Sequence, residues 1–395
     1  MSIELGIGGS SQADVTAAGH EAAVMAMAGL PSSRPGLVLV FSSIRFADPR
    51  LLKAVRKATG YAPLIGCTDA GGITTAGPCR RSVTVVVLAG AQVQFVTTVR
   101  PHVSENPVKA GEDIANLLAL TGGPKPKAVL MFPETLDVNA SDILCGAEKV
   151  FGRRVPIVGG GAADDFYFQK TFQYYDDDIV TDSVSAAAIY GDVSIGVGVR
   201  HGWLPLGAPR VVTRAEGHVL YELDGRPAVS IYEDYLGAKR EELEPLASIS
   251  MTYPLGSPLP GQRDYLLRDA FRVGRGGSLV CSSSITEGSS IRLMIGGYES
   301  ALEAAQLAAT ESLEGMGPAQ LKGALIFCSA ARQKMLGSEF QGEVDVIRDA
   351  LGGAGVRMGG FYSYGELGPV RGNHPLRSSN ELHSESVTVV AVGAS

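Results

Sequence analysis

Cysteine is scarce and scattered, with five in 395 residues and no Cys-x-x-Cys pair. An odd number at wide spacings builds no disulfide framework, and such usage suits a reducing compartment, so the cytoplasm is the expected location. Cationic side chains are also in short supply. Lys and Arg total 34 against 41 Asp and Glu, a formal net charge of −7. That balance argues against nucleic acid, whose phosphates need clustered Lys and Arg; Arg80-Arg81 and Arg153-Arg154 are isolated pairs. Long hydrophobic runs are missing, since nothing approaches the roughly 18 uninterrupted apolar residues of a membrane span. The nearest stretch, 82–99, is broken by Ala89-Gly90-Ala91-Gln92. No basic region precedes the first apolar residues, Arg34 being the first Arg, so no secretory signal is expected. Common catalytic signatures are absent as well: no G-x-x-x-x-G-K-[ST], no H-E-x-x-H and no G-x-S-x-G. The run Gly159-Gly160-Gly161-Ala162-Ala163-Asp164 lacks the third glycine of a dinucleotide fingerprint, and Asp164-Asp165 would repel a pyrophosphate.

Glycine and apolar residues are plentiful, at 50 glycines and 45% hydrophobic content, which excludes disorder. One phrase is written three times. Ala62-Pro63-Leu64-Ile65-Gly66-Cys67-Thr68-Asp69-Ala70-Gly71-Gly72 leads to Ser82-Val83-Thr84-Val85. Val155-Pro156-Ile157-Val158-Gly159-Gly160-Gly161 leads to Ser183-Val184-Ser185-Ala186. Val356-Arg357-Met358-Gly359-Gly360-Phe361 leads to Ser386-Val387-Thr388-Val389. Each is an apolar run, a glycine-rich turn, a variable loop and a Ser-Val strand. A further apolar run, Leu37 to Phe41, Ala128 to Phe132 or Ala324 to Phe327, lies about 30 residues upstream of each.

Periodicity predicts helices over 14–30, 48–59, 108–120, 141–151, 301–313 and 343–351. The apolar runs read as strands, and 82–88 with 93–99 and 183–190 with 193–199 read as hairpins. The phrase fades between Pro205 and Gly297, where 227–236 reads as helix, 265–267, 278–281 and 290–295 as strands, and Pro254 to Pro260 as a loop. Length favours two domains. The expectation is a mixed α/β fold of layered sheets and helices, built from repeated strand-helix-strand-hairpin units in two halves, 1–215 and 216–395.

Loops beyond strand ends are where ligands sit in open α/β sheets, so the repeated turns supply the candidate site: Cys67, Thr68, Asp69, Asp164, Asp165, Cys328, Arg332, Tyr362, Tyr364 and Glu366. Arg332 offers a planar fork to an anionic group. Glu366 or Asp69 can hold a cationic one, and Tyr364 can stack. Such a set suits a zwitterion or another small polar metabolite bound between the halves. Two alternatives stay open. An axial His, His201 or His383, would serve a b-type haem. A thiol, Cys328 or Cys67, with one of those histidines as base would serve an enzyme on a small metabolite.

Several of these stretches carry a resemblance. Leu64 to Gly72, Val158 to Asp165, His201-Gly202-Trp203, Tyr221 to Ala228, Tyr265-Leu266-Leu267-Arg268, Phe327 to Arg332 and Gly360 to Glu366 occur in an order that resembles the FIST family of bacterial sensory proteins. The likeness extends over nearly the whole chain, with 1–215 as the N-terminal and 216–395 as the C-terminal FIST domain. It implies a small-ligand sensor in signal transduction, with amino acids or related metabolites as ligands and haem-binding nitric-oxide sensing as the alternative. His383-Ser384-Glu385-Ser386 departs from the family's His-Asn-x-Thr element. No output domain is legible, so the signal is expected to pass to a separate partner such as a kinase or cyclase.

Overall fold

A computed structural model describes residues 3–30, 34–120, 122–259, 264–370 and 380–394. The repeat is real, and each copy carries one strand more than the sequence phrase suggests. The first unit runs through strand Glu4–Ser10, helix Val15–Ala28, strand Leu37–Ser43, helix Pro49–Ala58, strand Leu64–Asp69, a small hairpin over 72–79 and strand Val83–Ala89. The second repeats that order with Val93–Pro101, Pro107–Leu118, Ala128–Pro133, Ala140–Phe151, Ile157–Gly160, a hairpin over 173–180 and Ser183–Gly191. The third begins with Ser194–Arg200 and resumes, after an inserted sheet, with helices Tyr298–Met316 and Gln341–Ala350 and strands Gln320–Ser329, Met358–Ser363 and Val387–Ala394.

Every unit pairs its strands alike. The last strand lies antiparallel between the first and the second, and the second runs parallel to the third. The Ser-Val strands therefore do not form hairpins with the strands that follow them. Val83–Ala89 and Val93–Pro101 belong to different sheets, as do Ser183–Gly191 and Ser194–Arg200. Each unit's hairpin sits instead in its variable loop, and it leaves home. Gly72–Thr74 pairs with the third unit's Met358–Ser363, Gln173–Tyr175 with the first unit's Leu64–Asp69, and Glu366–Pro369 with the second unit's Ile157–Gly160. Every unit gives one hairpin and receives one, which closes a ring about an approximate three-fold axis.

The in-strand glycines explain how the parallel pairs come so close. Gly66, Gly159 and Gly360 stand opposite Val40, Met131 and Ile326. A Cβ there would sit 1.8, 2.0 and 1.7 Å from those residues' carbonyl oxygens, far inside contact distance. Phe41, Phe132 and Phe327 meet on the axis, with ring centroids 5.1, 5.9 and 6.4 Å apart around the triangle, and Phe361 stacks on Phe41 at 4.4 Å. Such ring pairs contribute about 0.5–1.5 kcal/mol each beyond their buried area. Helices cover the outer faces, so the strands are apolar on both sides and read as continuous hydrophobic runs.

The insertion spans 204–295 and has its own core around Leu220, Tyr232, Leu255 and Leu293. Its sheet includes Leu255–Pro258, paired with Tyr265–Arg268, where a loop was expected. Pro258 is tolerated because the second neighbour, Ser290–Ile295, reaches only Leu255 and Gly256. Among the described residues no helix is long and apolar enough to cross a membrane.

Candidate functional site

The inserted sheet docks over loops at the carboxyl ends of the second and third units' strands. Ser141 and Ser283 meet across this seam at 2.9 Å, and Arg268 donates to Leu382 O at 3.2 Å. Between the layers lies a cavity of about 620 Å³. Its wall takes the 135–139 loop and Phe168 from the second unit, Asp269, Cys281 and Ser282 from the insertion, and Ser363, Tyr364, Ser384 and Glu385 from the third unit.

Asp269, Ser282, Ser384 and Glu385 bring carboxyls and hydroxyls to this wall. Glu385 is 1% exposed, and among the described residues no donor reaches either of its carboxyl oxygens. Its carboxyl lies within hydrogen-bonding reach of Asp269. Burial first, and then the neighbouring Asp269, hold Glu385 well above the ordinary carboxyl range, and burial raises Asp269 too. Ser250 donates to Asp269 Oδ1 at 3.5 Å, Ser282 Oγ accepts from Asp269 N at 3.0 Å, and Ser282 lies 3.3 Å from Ser384. Glu385 also has φ +52°, the left-handed region that non-glycine residues rarely adopt.

Of the ten residues expected to bind ligand, Tyr364 borders this cavity. Asp164 instead holds a turn, accepting from Phe168 N at 2.8 Å, Gln169 N at 2.7 Å, Lys170 N at 3.0 Å and the Tyr364 hydroxyl at 2.8 Å. Thr68 accepts from Phe172 N at 3.1 Å, and Asp165 accepts from Ser43 at 2.6 Å. Asp69 is fully buried and accepts from Gly71 N at 3.0 Å, while its other oxygen has no donor. Burial and then Asp165 push its carboxyl well up. Asp69 does lie beside Tyr362, whose backbone bonds Ala70 N and Gly71 O at 2.9 and 2.8 Å.

Arg332 does not face Asp69 or open space. It is fully buried, and its Nε donates to Glu343 at 2.6 Å. Its remaining donors reach the carbonyls of His201, Ala301 (2.7 Å) and Glu385 (3.3 Å). The guanidinium expected to hold an anion is thus engaged within the fold. Glu366 lies just behind the cavity wall, accepting from Ser363 at 2.8 Å, Ser386 Oγ at 2.7 Å and Ser386 N at 3.0 Å. Burial nonetheless raises its carboxyl to about 8.

The thiols are poor nucleophiles. Cys328 Sγ sits 3.0 Å from Glu343, and burial and then that carboxylate hold its thiol well up; burial does the same to Cys67. Neither candidate histidine lines this cavity. His201 places Nε2 2.9 Å from Asp264 and accepts from Trp203 N on Nδ1 at 2.9 Å, so both ring nitrogens are occupied. His383 lies 3.2 Å from Gly368 O, and burial lowers its imidazole to about 4. Among the described residues no group of three or more His, Cys, Asp or Glu is placed to hold a metal ion.

Asp269 and Glu385 were missed from sequence. The signal was the glutamate in His383-Ser384-Glu385-Ser386, a carboxylate placed just before a buried strand.

Comparison with known proteins agrees with the motifs. A FIST N domain model matches residues 36–226 and a FIST C domain model matches 228–369. An uncharacterized protein of Mycobacterium tuberculosis is 26% identical over 391 residues, 95% of this chain and 97% of that protein. An uncharacterized protein of Methanocaldococcus jannaschii is 42% identical over 89 residues, 22% of this chain and 17% of that one. Among solved structures, a cyanuric acid hydrolase (TM-score 0.39, 7% identity) and a chorismatase (TM-score 0.35, 8% identity) each align over 100% of both chains.

Proposed function

The chain belongs to the FIST family, and we propose that it is a small-ligand sensor whose ligand, an amino acid or a similar polar metabolite, occupies the cavity between the inserted sheet and the core. The observation that carries this reading is the cavity itself. At about 620 Å³ it lies within the roughly 300–1,000 Å³ range of small-molecule sites. Its lining mixes Phe168, Phe271 and Met251 with a few convergent polar groups, which is how such sites fix orientation. Both family segments contribute to the wall, so a ligand that binds one docking of the inserted sheet better than another shifts that equilibrium. A separate cytoplasmic partner, such as a kinase or cyclase, would read the shift.

Thermal-shift screening of an amino-acid panel tests this, with Ala247→Trp as the variant that fills the cavity from the insertion's side. A compound that raises the wild-type Tm by a few degrees at about 100 times its Kd and fails to do so in Ala247→Trp supports the reading. A compound whose effect survives Ala247→Trp unchanged binds elsewhere and overturns it.

A further inference from the structure

We infer that the ligand's anchoring group is a cation, an ammonium or guanidinium, seated on the Asp269–Glu385 carboxyl pair in place of the proton the two share. This rests on the cavity being the ligand site, and narrows the class of molecule it takes.

Glu385 is buried to 1% exposure, lines the cavity, and has no donor on either oxygen among the described residues. Buried carboxyl oxygens are nearly always hydrogen-bonded, so this arrangement lacks its partner. Two carboxyls within hydrogen-bonding reach cannot both be ionised in a low-dielectric site, and one proton holds them together. A ligand N–H cation can take that proton's place, donating to both carboxylates, and the proton leaves to solvent. Charge and atoms balance: one cation enters and one proton departs.

The surrounding charges leave this role open. Arg268, beside Asp269 on the same stretch, donates to the Leu267 and Leu382 carbonyls at 3.0 and 3.2 Å and lies 3.9 Å from Glu381. Arg332 is paired with Glu343, and it reaches Glu385 through that residue's backbone carbonyl and not its carboxyl. Glu366, from the neighbouring hairpin, adds a third carboxyl that acts on Glu385, and His383 is kept neutral by burial. An anionic group on this floor would meet the Asp269–Glu385 pair, and among the described residues the nearest guanidinium groups, Arg268 and Arg332, are already engaged. Arg272, exposed at the cavity's edge, is placed to meet a carboxylate at the other end of the same ligand. Basic amino acids and small diamines fit; acidic amino acids do not.

Isothermal titration of the full chain with L-arginine, L-lysine, putrescine, L-leucine and L-glutamate, in two buffers of different ionisation enthalpy, reads both affinity and proton count. The expected result is a cationic compound bound at least ten-fold tighter than L-leucine, no binding of L-glutamate, and release of about one proton near neutral pH. Glu385→Gln should weaken binding at least ten-fold and abolish the proton release. Asp269→Asn is the second variant should Glu385→Gln fold poorly, and the wild-type preference and proton count stand without either. L-leucine or L-glutamate binding as tightly as the cationic compounds, or unchanged affinity in Glu385→Gln, overturns the inference. If such a neutral or acidic ligand is then lost in Ala247→Trp, the cavity reading survives and the cation does not. If none of the five binds, the cation inference falls, and the wider amino-acid panel decides the cavity.

Discussion

Three residues past the end of strand Leu37–Ser43, the first unit buries Phe46 completely. Three residues past the matching strand Gln320–Ser329, the third unit buries Arg332 just as completely. The same contrast recurs at the transferred hairpins. Opposite the third unit's Phe361 stands Gly72, and opposite the second unit's Gly160 stands Glu366. Nearby, Ser82 has no partner for its hydroxyl, whereas Ser386 donates to Glu366. The backbone frame is one solution used repeatedly; the polar chemistry is unequal and gathers where the inserted sheet docks. Arg332 shows why. Its donors reach His201, where the chain leaves for the insertion, Ala301, just after it returns, and Glu385 on the cavity floor. A packed apolar plug could fill that volume, but it could not tie those three points.

The largest expected difference between the units follows directly. Arg332→Met is close in volume and leaves Glu343, 1% exposed, with its charge uncompensated. Breaking one side of a buried pair costs about 3–5 kcal/mol. Phe46→Leu, the corresponding change in the first unit, should cost roughly 1 kcal/mol. The double variant Arg332→Met/Glu343→Leu should regain only part of the loss, because it removes the uncompensated charge but leaves the His201, Ala301 and Glu385 carbonyls without their donor. Urea unfolding at pH 7 measures all three. An Arg332→Met cost no larger than that of Phe46→Leu would remove the distinction drawn between the two units.

Much of the repeat was legible because its strands are apolar on both faces and its Ser-Val starts fall at one register. Ser82, Ser183 and Ser386 each accept, through the backbone oxygen, from the residue across the same turn: Ser43, Glu134 and Ser329. The opening strand Glu4–Ser10 was not legible, because Gly9 and, where helix Val15–Ala28 packs close, Gly6 and Gly8 dilute its apolar pattern. Periodicity also says nothing about which sheet a strand joins, so the exchanged hairpins could not be read. The site suffered most. Tyr364 was found because it sits in a repeated turn. Asp269 and Glu385 are 116 residues apart, and meet because of how the insertion, which follows no repeat, docks on the third unit.

A second, intermediate effect separates the units by pH. Glu366 carries its proton up to about pH 8 in the folded protein because burial outweighs its three hydrogen bonds, and the first unit has Gly72 at that place. A carboxyl raised on folding stabilises most below its unfolded pKa, near 4.5. That stability is lost as pH rises toward 8, by at most about 1.4 kcal/mol per pH unit. Glu366→Gln keeps the hydrogen-bonding shape and cannot ionise, so its stability should depend less steeply on pH between about 5 and 8. Chemical denaturation across that window compares the slopes. Parallel curves for wild type and variant would mean that Glu366 is ionised in the fold.

The smallest effect is the most diagnostic, since it sets one residue type at one register against itself. Ser386 Oγ donates to Glu366 at 2.7 Å, and both side chains are buried. Ser386→Ala removes that bond while Glu366 keeps Ser363 Oγ and Ser386 N, so the cost should be about 1–1.5 kcal/mol. Ser82 is equally buried at 1% exposure, but its hydroxyl has no partner. Its backbone oxygen, which accepts from Ser43 N at 3.0 Å, does not depend on the side chain. A buried hydroxyl without a partner carries its desolvation cost with no return bond, so Ser82→Ala should be neutral, or stabilising by up to about 0.5 kcal/mol. Urea midpoints at matched m-values read the two variants against wild type. Equal losses at both positions would mean that the Ser82 hydroxyl is satisfied after all, by ordered water for instance, and that the first unit's seam is as polar in practice as the third's.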